Sequence, residues 1–209
     1  MQLFHLLESK ELHANLRVDS LPYARQDKEV NNNSTFAKLT FMRFLSNIPN
    51  LNRTITVDCH SHKYNHIGRL TSNSAFTYIT PLICDLKPSL ICFPDIGAKG
   101  RYGKGPLSEG AIINDTLIRS CSFTKVRNQD TGRIERLDLN ELVDVEGQTV
   151  LIIDDICDGG MTFKLTAEKL LTLGAKEVNL YTTHGIYSKG VDTLRESGIS
   201  RIFNRKGEL

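Results

Sequence analysis

Two adjacent carboxylates, Asp154 and Asp155, follow the apolar run Val150-Leu151-Ile152-Ile153 and precede Asp158-Gly159-Gly160-Met161-Thr162. An ionised carboxylate only accepts hydrogen bonds and can take two hydroxyl donors at once, so the pair suits the diol of a sugar. Being anionic, it does not suit a phosphate. The glycine turn does: backbone N–H groups bared by Gly159 and Gly160, with the unpaired donors and positive end of a helix beginning near Thr162, attract an anion. These residue types in this order describe a sugar phosphate. The plainer alternative is that Asp158 caps the helix and the Asp pair is solvated at a strand end.

Other stretches hold reactive groups. Leu21-Pro22-Tyr23-Ala24-Arg25-Gln26-Asp27-Lys28 is a Pro-led loop dense in hydrogen-bonding side chains. On its chemistry alone it reads as a solvated turn. In Val57-Asp58-Cys59-His60 a carboxylate and an imidazole two residues apart can converge on a metal or on phosphates. Pro94-Asp95-Ile96-Gly97-Ala98-Lys99-Gly100-Arg101 reads as a glycine-rich basic loop, and Lys125-Val126-Arg127 enters a polar segment, Asn128–Arg133, that contains Gly132.

The elements that must position these groups alternate. Val150–Ile153, apolar and mostly β-branched, predicts a strand buried on both faces; Leu165, Ala167, Leu170 and Leu171 then recur at helical spacing. Upstream, the pattern predicts a helix within residues 1–13, strands at Leu16–Ser20 and Thr54–Asp58, and a helix Phe36–Leu45 with Ser34 as its N-cap. A change of character near Gly68–Asn73 divides the chain into domains 1–70 and 71–209. Beyond it come helix Ser74–Leu86, strand Ser89–Phe93, a short strand around Cys121, strand Glu177–Thr183, a helix over 190–198 and strand Arg201–Phe203. Strand and helix in alternation predict an α/β fold with a parallel sheet and a ligand crevice beyond the strands' carboxyl ends.

Composition narrows the class. The 209 residues allow one large or two small domains, and 40% hydrophobic with 24% charged residues is ordinary for a soluble globular chain. A net charge of +2 argues against a dedicated nucleic-acid binder. The five cysteines are odd in number and lack CxxC spacing. Cys84, Cys92 and Cys157 in apolar surroundings read as reduced core thiols, which predicts a cytoplasmic location. No apolar run reaches bilayer length and no leader pattern opens the chain, so no membrane association is expected.

Residues 150–163 resemble the phosphoribosyl diphosphate (PRPP) motif of type I phosphoribosyltransferases and PRPP synthetases: a hydrophobic run, Asp-Asp, two residues, then Asp-Thr-x-Gly-Thr. Here Gly159 replaces the first Thr, Met161 replaces the usual Gly, and Thr162 keeps its place. Pro22–Asp27 resembles the ATP-site loop of PRPP synthetases, which phosphoribosyltransferases lack, and 94–101 is similar to that family's Pro-Asp-x-Gly-Gly-x-Lys-Arg segment. The resemblance implies a phosphoribosyltransferase-like parallel-sheet domain with an incomplete second α/β domain of the same kind at the N-terminus. It begins midway through the family's first domain and stops before the family's usual end, so the chain is either a fragment or a shortened member.

What the resemblance implies for function is a magnesium-dependent ribose-phosphate diphosphokinase, a homo-oligomer acting on ATP and ribose 5-phosphate. Arg25, Gln26, Asp27 and His60 fall to ATP; Asp58, His60 and Asp95 to the metal. Asp154, Asp155, Asp158, Gly159, Gly160, Met161 and Thr162 fall to the ribose phosphate, and Lys125 and Arg127 to catalysis. A related diphosphokinase acting on a bulkier ester such as ADP-ribose stays open, as do a phosphoribosyltransferase and a non-catalytic partner of PRPP synthetases.

Overall fold

The computed structural model of the protein describes residues 2–28, 36–127 and 134–209; the side chains of Leu3, Arg127, Ile134 and Glu135 lie outside the description. The expected N-cap Ser34 and the polar segment Asn128–Arg133 fall outside the described residues. The chain divides into two compact units, Met1–Ala75 and Phe76–Leu209.

In the first unit α1 (Gln2–Ser9) precedes β1 (Ala14–Arg17), then come α2 (Ala37–Ser46), β2 (Leu51–Val57) and β3 (Leu70–Asn73). All pairing is parallel, in the order β1-β2-β3. The core gathers Leu21, Met42, Leu45, Leu51, Cys59 and Leu70. The first strand lies upstream of the expected Leu16–Ser20 because its register is set by β2, with Ala14 opposite Leu51. The Gly68–Asn73 stretch contains β3, which pairs with β2 and so belongs to this unit.

The second unit runs α3 (Phe76–Leu86), β4 (Leu90–Phe93), α4 (Ile96–Tyr102), β5 (Ile112–Ile113), β6 (Thr116–Leu117), β7 (Ser120–Arg127) and β8 (Ile134–Leu139). It continues with β9 (Thr149–Cys157), α5 (Met161–Thr172), β10 (Glu177–Gly185), α6 (Asp192–Arg195), β11 (Ile199–Asn204) and β12 (Gly207–Glu208). Its main sheet has the order β12-β11-β10-β9-β4-β7-β8, with β5 and β6 forming a separate small hairpin. The five inner strands are parallel and the two edges, β8 and β12, antiparallel. The fold is α/β with a mostly parallel sheet, as the alternation of strands and helices predicts.

Position in this sheet follows from burial. Val150, Leu151, Ile152 and Ile153 are all 0% exposed, and β9 is paired on both sides, to β4 and β10. Apolar β-branched residues tolerate a slot buried on both faces, which polar alternation would not. On α5, Phe163, Ala167 and Leu170 turn one stripe onto the core.

Three expectations are corrected. The 94–101 stretch is not a loop: Asp95 N-caps α4, its carboxylate accepting from the Ala98 N–H at 2.8 Å, and the buried side chains of Ala98 and Tyr102 anchor the helix despite two glycines. Asp154 and Asp155 do not merely follow the strand; β9 runs on through them to Cys157, paired with β10. The helix expected over 190–198 is confined to α6, because the Gly190 and Gly198 that bracket it both adopt left-handed φ, +78° and +89°.

Candidate functional site

In the second unit the site grows from the carboxyl ends of β4 and β9, where crevices form in parallel sheets. Asp154 and Asp155 are buried, 8% and 3% exposed. Side chains alternate across a strand, so neighbours should diverge. They share one cation: Arg101, from the last turn of α4, donates to Asp154 Oδ1 at 2.5 Å and Asp155 Oδ1 at 2.9 Å. The Asp155 backbone N–H also donates to Asp154 Oδ1 at 2.9 Å. Burial pushes the Asp154 carboxyl up to about 7; the charge of Asp155 adds to the shift and Arg101 opposes it. Burial works against the charge on Arg101, but the two carboxylates outweigh it and raise its pKa. Arg101 Nε is buried and has no hydrogen-bond partner among the described residues.

The turn behind the pair is built as an anion cradle would be. Asp158 and Gly159 are exposed, and Gly160 takes φ +75°, where a Cβ would stand 2.8 Å from Leu194 Cδ2. Among the described residues no side chain caps α5, so its first-turn donors, around Met161 and Thr162, have no side-chain acceptor at the cap. A Cβ at Gly159 would meet one neighbour within 4 Å, the Lys189 side chain at 4.0 Å.

A second set of ion pairs faces α4. Asp95, besides capping, accepts from Lys125 Nζ at 2.6 Å. Burial alone would raise the Asp95 carboxyl, but Lys125 and the Ala98 N–H more than offset it and hold it below the usual range. Lys99 pairs with Glu141, which also accepts from the Ser122 N–H at 2.6 Å. Lys125 lies on β7, and Arg127 ends the same strand. Sequence reasoning missed Glu141, which sits in no motif, and Lys189, which follows β10 in a loop; neither offers a spacing signal.

In the first unit, the 22–28 loop and the turn after β2 follow adjacent parallel strands. Arg25 and Gln26 are exposed and Asp27 is buried. The Gln26 N–H closes on the Tyr23 carbonyl at 2.9 Å, with Tyr23 at φ +60°. After β2, Asp58 and His60 both hold positive φ, +49° and +64°. The Ser61 N–H reaches back to the Cys59 carbonyl at 2.7 Å, making His60 the centre of a strained γ-turn. Such strain in a non-glycine residue persists only where its surroundings enforce it, and it clusters at binding sites. His184 is buried in β10.

The expected metal residues therefore lie in both units, Asp58 and His60 in one and Asp95 in the other. Among the described residues no group of three or more His, Cys, Asp or Glu converges as a metal centre. Magnesium does not require one, since it is commonly held by one or two carboxylates together with substrate phosphates and water. A single carboxylate from Asp58 or from Asp95 is the donor type that mode uses, and at Asp95 it would compete with Lys125 for the oxygen that Lys125 now holds. The imidazole of His60 fits a phosphate oxygen better than it fits this hard cation.

A parallel sheet ending in paired carboxylates and a glycine-led helix N-terminus defines a phosphoribosyltransferase-type protein, and the chain belongs to the phosphoribosyl transferase domain family, matched over residues 93–206. It is similar, more particularly, to ribose-phosphate pyrophosphokinases. That of Granulibacter bethesdensis is 29% identical over 188 residues, which cover 86% of this chain and 56% of the relative. Ribose-phosphate pyrophosphokinase 2 of Saccharomyces cerevisiae is 27% identical over 192 residues, 88% of this chain and 57% of the relative. The chain spans about half the length of the curated relatives it matches. Phosphoribosylpyrophosphate synthetase from Mycobacterium smegmatis shares the fold, with a TM-score of 0.81 at 21% identity, over 97% of this chain and 65% of that one. Among the described residues, no helix is long and apolar enough to cross a membrane.

Proposed function

We propose that the protein transfers diphosphate from ATP to the anomeric hydroxyl of ribose 5-phosphate, giving PRPP and AMP. The observation that carries this reading is the buried Asp154–Asp155 pair beside an uncapped, glycine-led helix N-terminus. The relatives' names agree with it. The carboxylates accept the ribose hydroxyls, sharing Arg101 or displacing it, while the 158–162 turn binds the 5-phosphate. Arg25, Gln26 and Asp27 hold the nucleotide with His60. The anomeric oxygen forms a bond to the β-phosphorus, the bond from that phosphorus to the α-phosphate oxygen breaks, AMP leaves, and the anomeric proton passes to solvent. Lys125 and Arg127 lend positive charge to the transferring group, and positioning does most of the remaining work.

Asp58 or Asp95 would help hold magnesium against the phosphates. When bound, the ion neutralises their charge. Incubating the protein with Mg–ATP and ribose 5-phosphate and weighing the products tests the reading: AMP and PRPP in equal amounts are expected, and intact ATP would reject it.

A second acceptor is favoured by one observation. Gly159 presents no side chain, and Lys189 is the neighbour of the space a Cβ there would fill. A diphosphate ester such as ADP-ribose would use that room and that cation. Lys189→Ala is expected to weaken an ADP-ribose acceptor about tenfold and ribose 5-phosphate less than twofold, read as the two KM values; such a loss is typical of one charged hydrogen bond.

A further inference from the structure

Lys38 is the one lysine that is 0% exposed among the described residues. A lysine is almost never fully buried unless its charge is met. Here the ammonium donates to the Ser61 carbonyl, and to the Ser61 hydroxyl at 3.3 Å. It lies within electrostatic reach of Asp27 and Cys59, and its own backbone N–H donates to the Gln26 carbonyl at 3.2 Å. One residue of α2 thus touches both segments to which ATP is assigned above: the 25–27 loop through its backbone, the 58–61 turn through its side chain.

The turn has reason to need such an anchor. His60 sits at φ +64° and Asp58 at φ +49°, conformations that a non-glycine residue keeps only where its surroundings hold them. Several bonds share the task. The Asp58 N–H donates to the Asn73 carbonyl at 3.0 Å, the Cys59 N–H to Ser72 Oγ at 3.1 Å, and Cys59 Sγ to the Ser61 carbonyl at 3.0 Å. Those fix the turn to β3 and to itself. Lys38 also reaches the neighbouring loop.

We infer that Lys38 is a positioning residue: buried between the 25–27 loop and the strained 58–61 turn, it fixes His60 and Arg25 along one edge of the first unit for a nucleoside triphosphate. It touches no substrate. This rests on the nucleotide reading above, and the two can fail separately. Mg–ATP binding is measured by calorimetry on the full chain for the parent, Lys38→Met, His60→Ala and the double variant, with thermal unfolding of each as a control.

Parent binding with a Kd at least tenfold weaker in Lys38→Met is expected, with no further loss when His60→Ala is added, because both substitutions remove the same interaction. The KM for the sugar phosphate stays unchanged, which general loosening of the fold would not produce. A parent that binds no Mg–ATP overturns the nucleotide reading and this inference with it. A folded Lys38→Met that binds within twofold of the parent, or losses that add, overturns this inference alone. Should Lys38→Met not fold, Lys38→Gln keeps a shorter N–H donor for Ser61; a Kd between those of the parent and His60→Ala is expected, and a sugar-phosphate KM that rises in step with the Mg–ATP Kd overturns the proposal.

Discussion

Asp154, assigned above to the sugar hydroxyls, also has an unusual protonation. Its usual pKa is 3.8 and burial lifts it to about 7 in the folded chain. The folded state therefore binds a proton that the unfolded state has released, and this group's contribution to stability is full below about pH 4 and lost as pH rises to about 7. Asp154→Asn cannot titrate. Its melting temperature is expected to fall less between pH 5 and pH 8 than the parent's, and a parallel pair of curves would refute the shift. Arg101 sets the opposite constraint. Removing it leaves two buried carboxylates facing each other, and breaking such a pair costs about 3–5 kcal/mol, reduced here to about 2–3 because the Arg101 side chain is 23% exposed. Denaturant unfolding of Arg101→Met measures that loss directly, and it should shrink when Asp154→Asn is added.

At the scale of elements, the strand, turn and helix around residue 150–172 were legible because each signal is local: an apolar run, a glycine pair and a helical repeat. Helix α4 was not. Its Ile96-Gly97-Ala98-Lys99-Gly100-Arg101 sequence has the composition of a loop, and what makes it helical is a cap and ion pairs to residues far along the chain, Glu141, Asp154 and Asp155. Lys38 was hidden for a similar reason, since a lysine on a short helix reads as solvated until β2 and its turn close over it. Two substitutions probe these local devices. Gly160→Ala forces a Cβ into the left-handed region and within 2.8 Å of Leu194, so it should cost about 1–3 kcal/mol of stability. Asp95→Ala should cost about 1 kcal/mol as a lost cap and also release Lys125. Chemical denaturation separates the two sizes, and an Asp95→Ala chain as stable as the parent would mean the cap contributes nothing.

Over the whole molecule, the proposed chemistry is divided by the chain's own architecture: the residues assigned to ATP lie mainly before Ala75, and those assigned to the sugar phosphate after Phe76. The sequence made this division readable through motifs placed after β1, β2, β4 and β9, whereas the antiparallel edges β8 and β12 carry no motif and emerged only from pairing. The division has a measurable consequence, because a residue that contacts one substrate in one compact unit should disturb that substrate's affinity first. Arg25→Ala should raise the KM for ATP about 10- to 100-fold, the loss of one charged hydrogen bond, and leave that for the sugar phosphate within about threefold. Asp155→Asn should do the reverse: the amide keeps the shape but presents a donor where a hydroxyl needs an acceptor, so the sugar-phosphate KM rises while that of ATP holds. Steady-state kinetics with each substrate varied in turn gives both ratios. If either variant moves the two constants together, the substrates are not divided between the units as assigned.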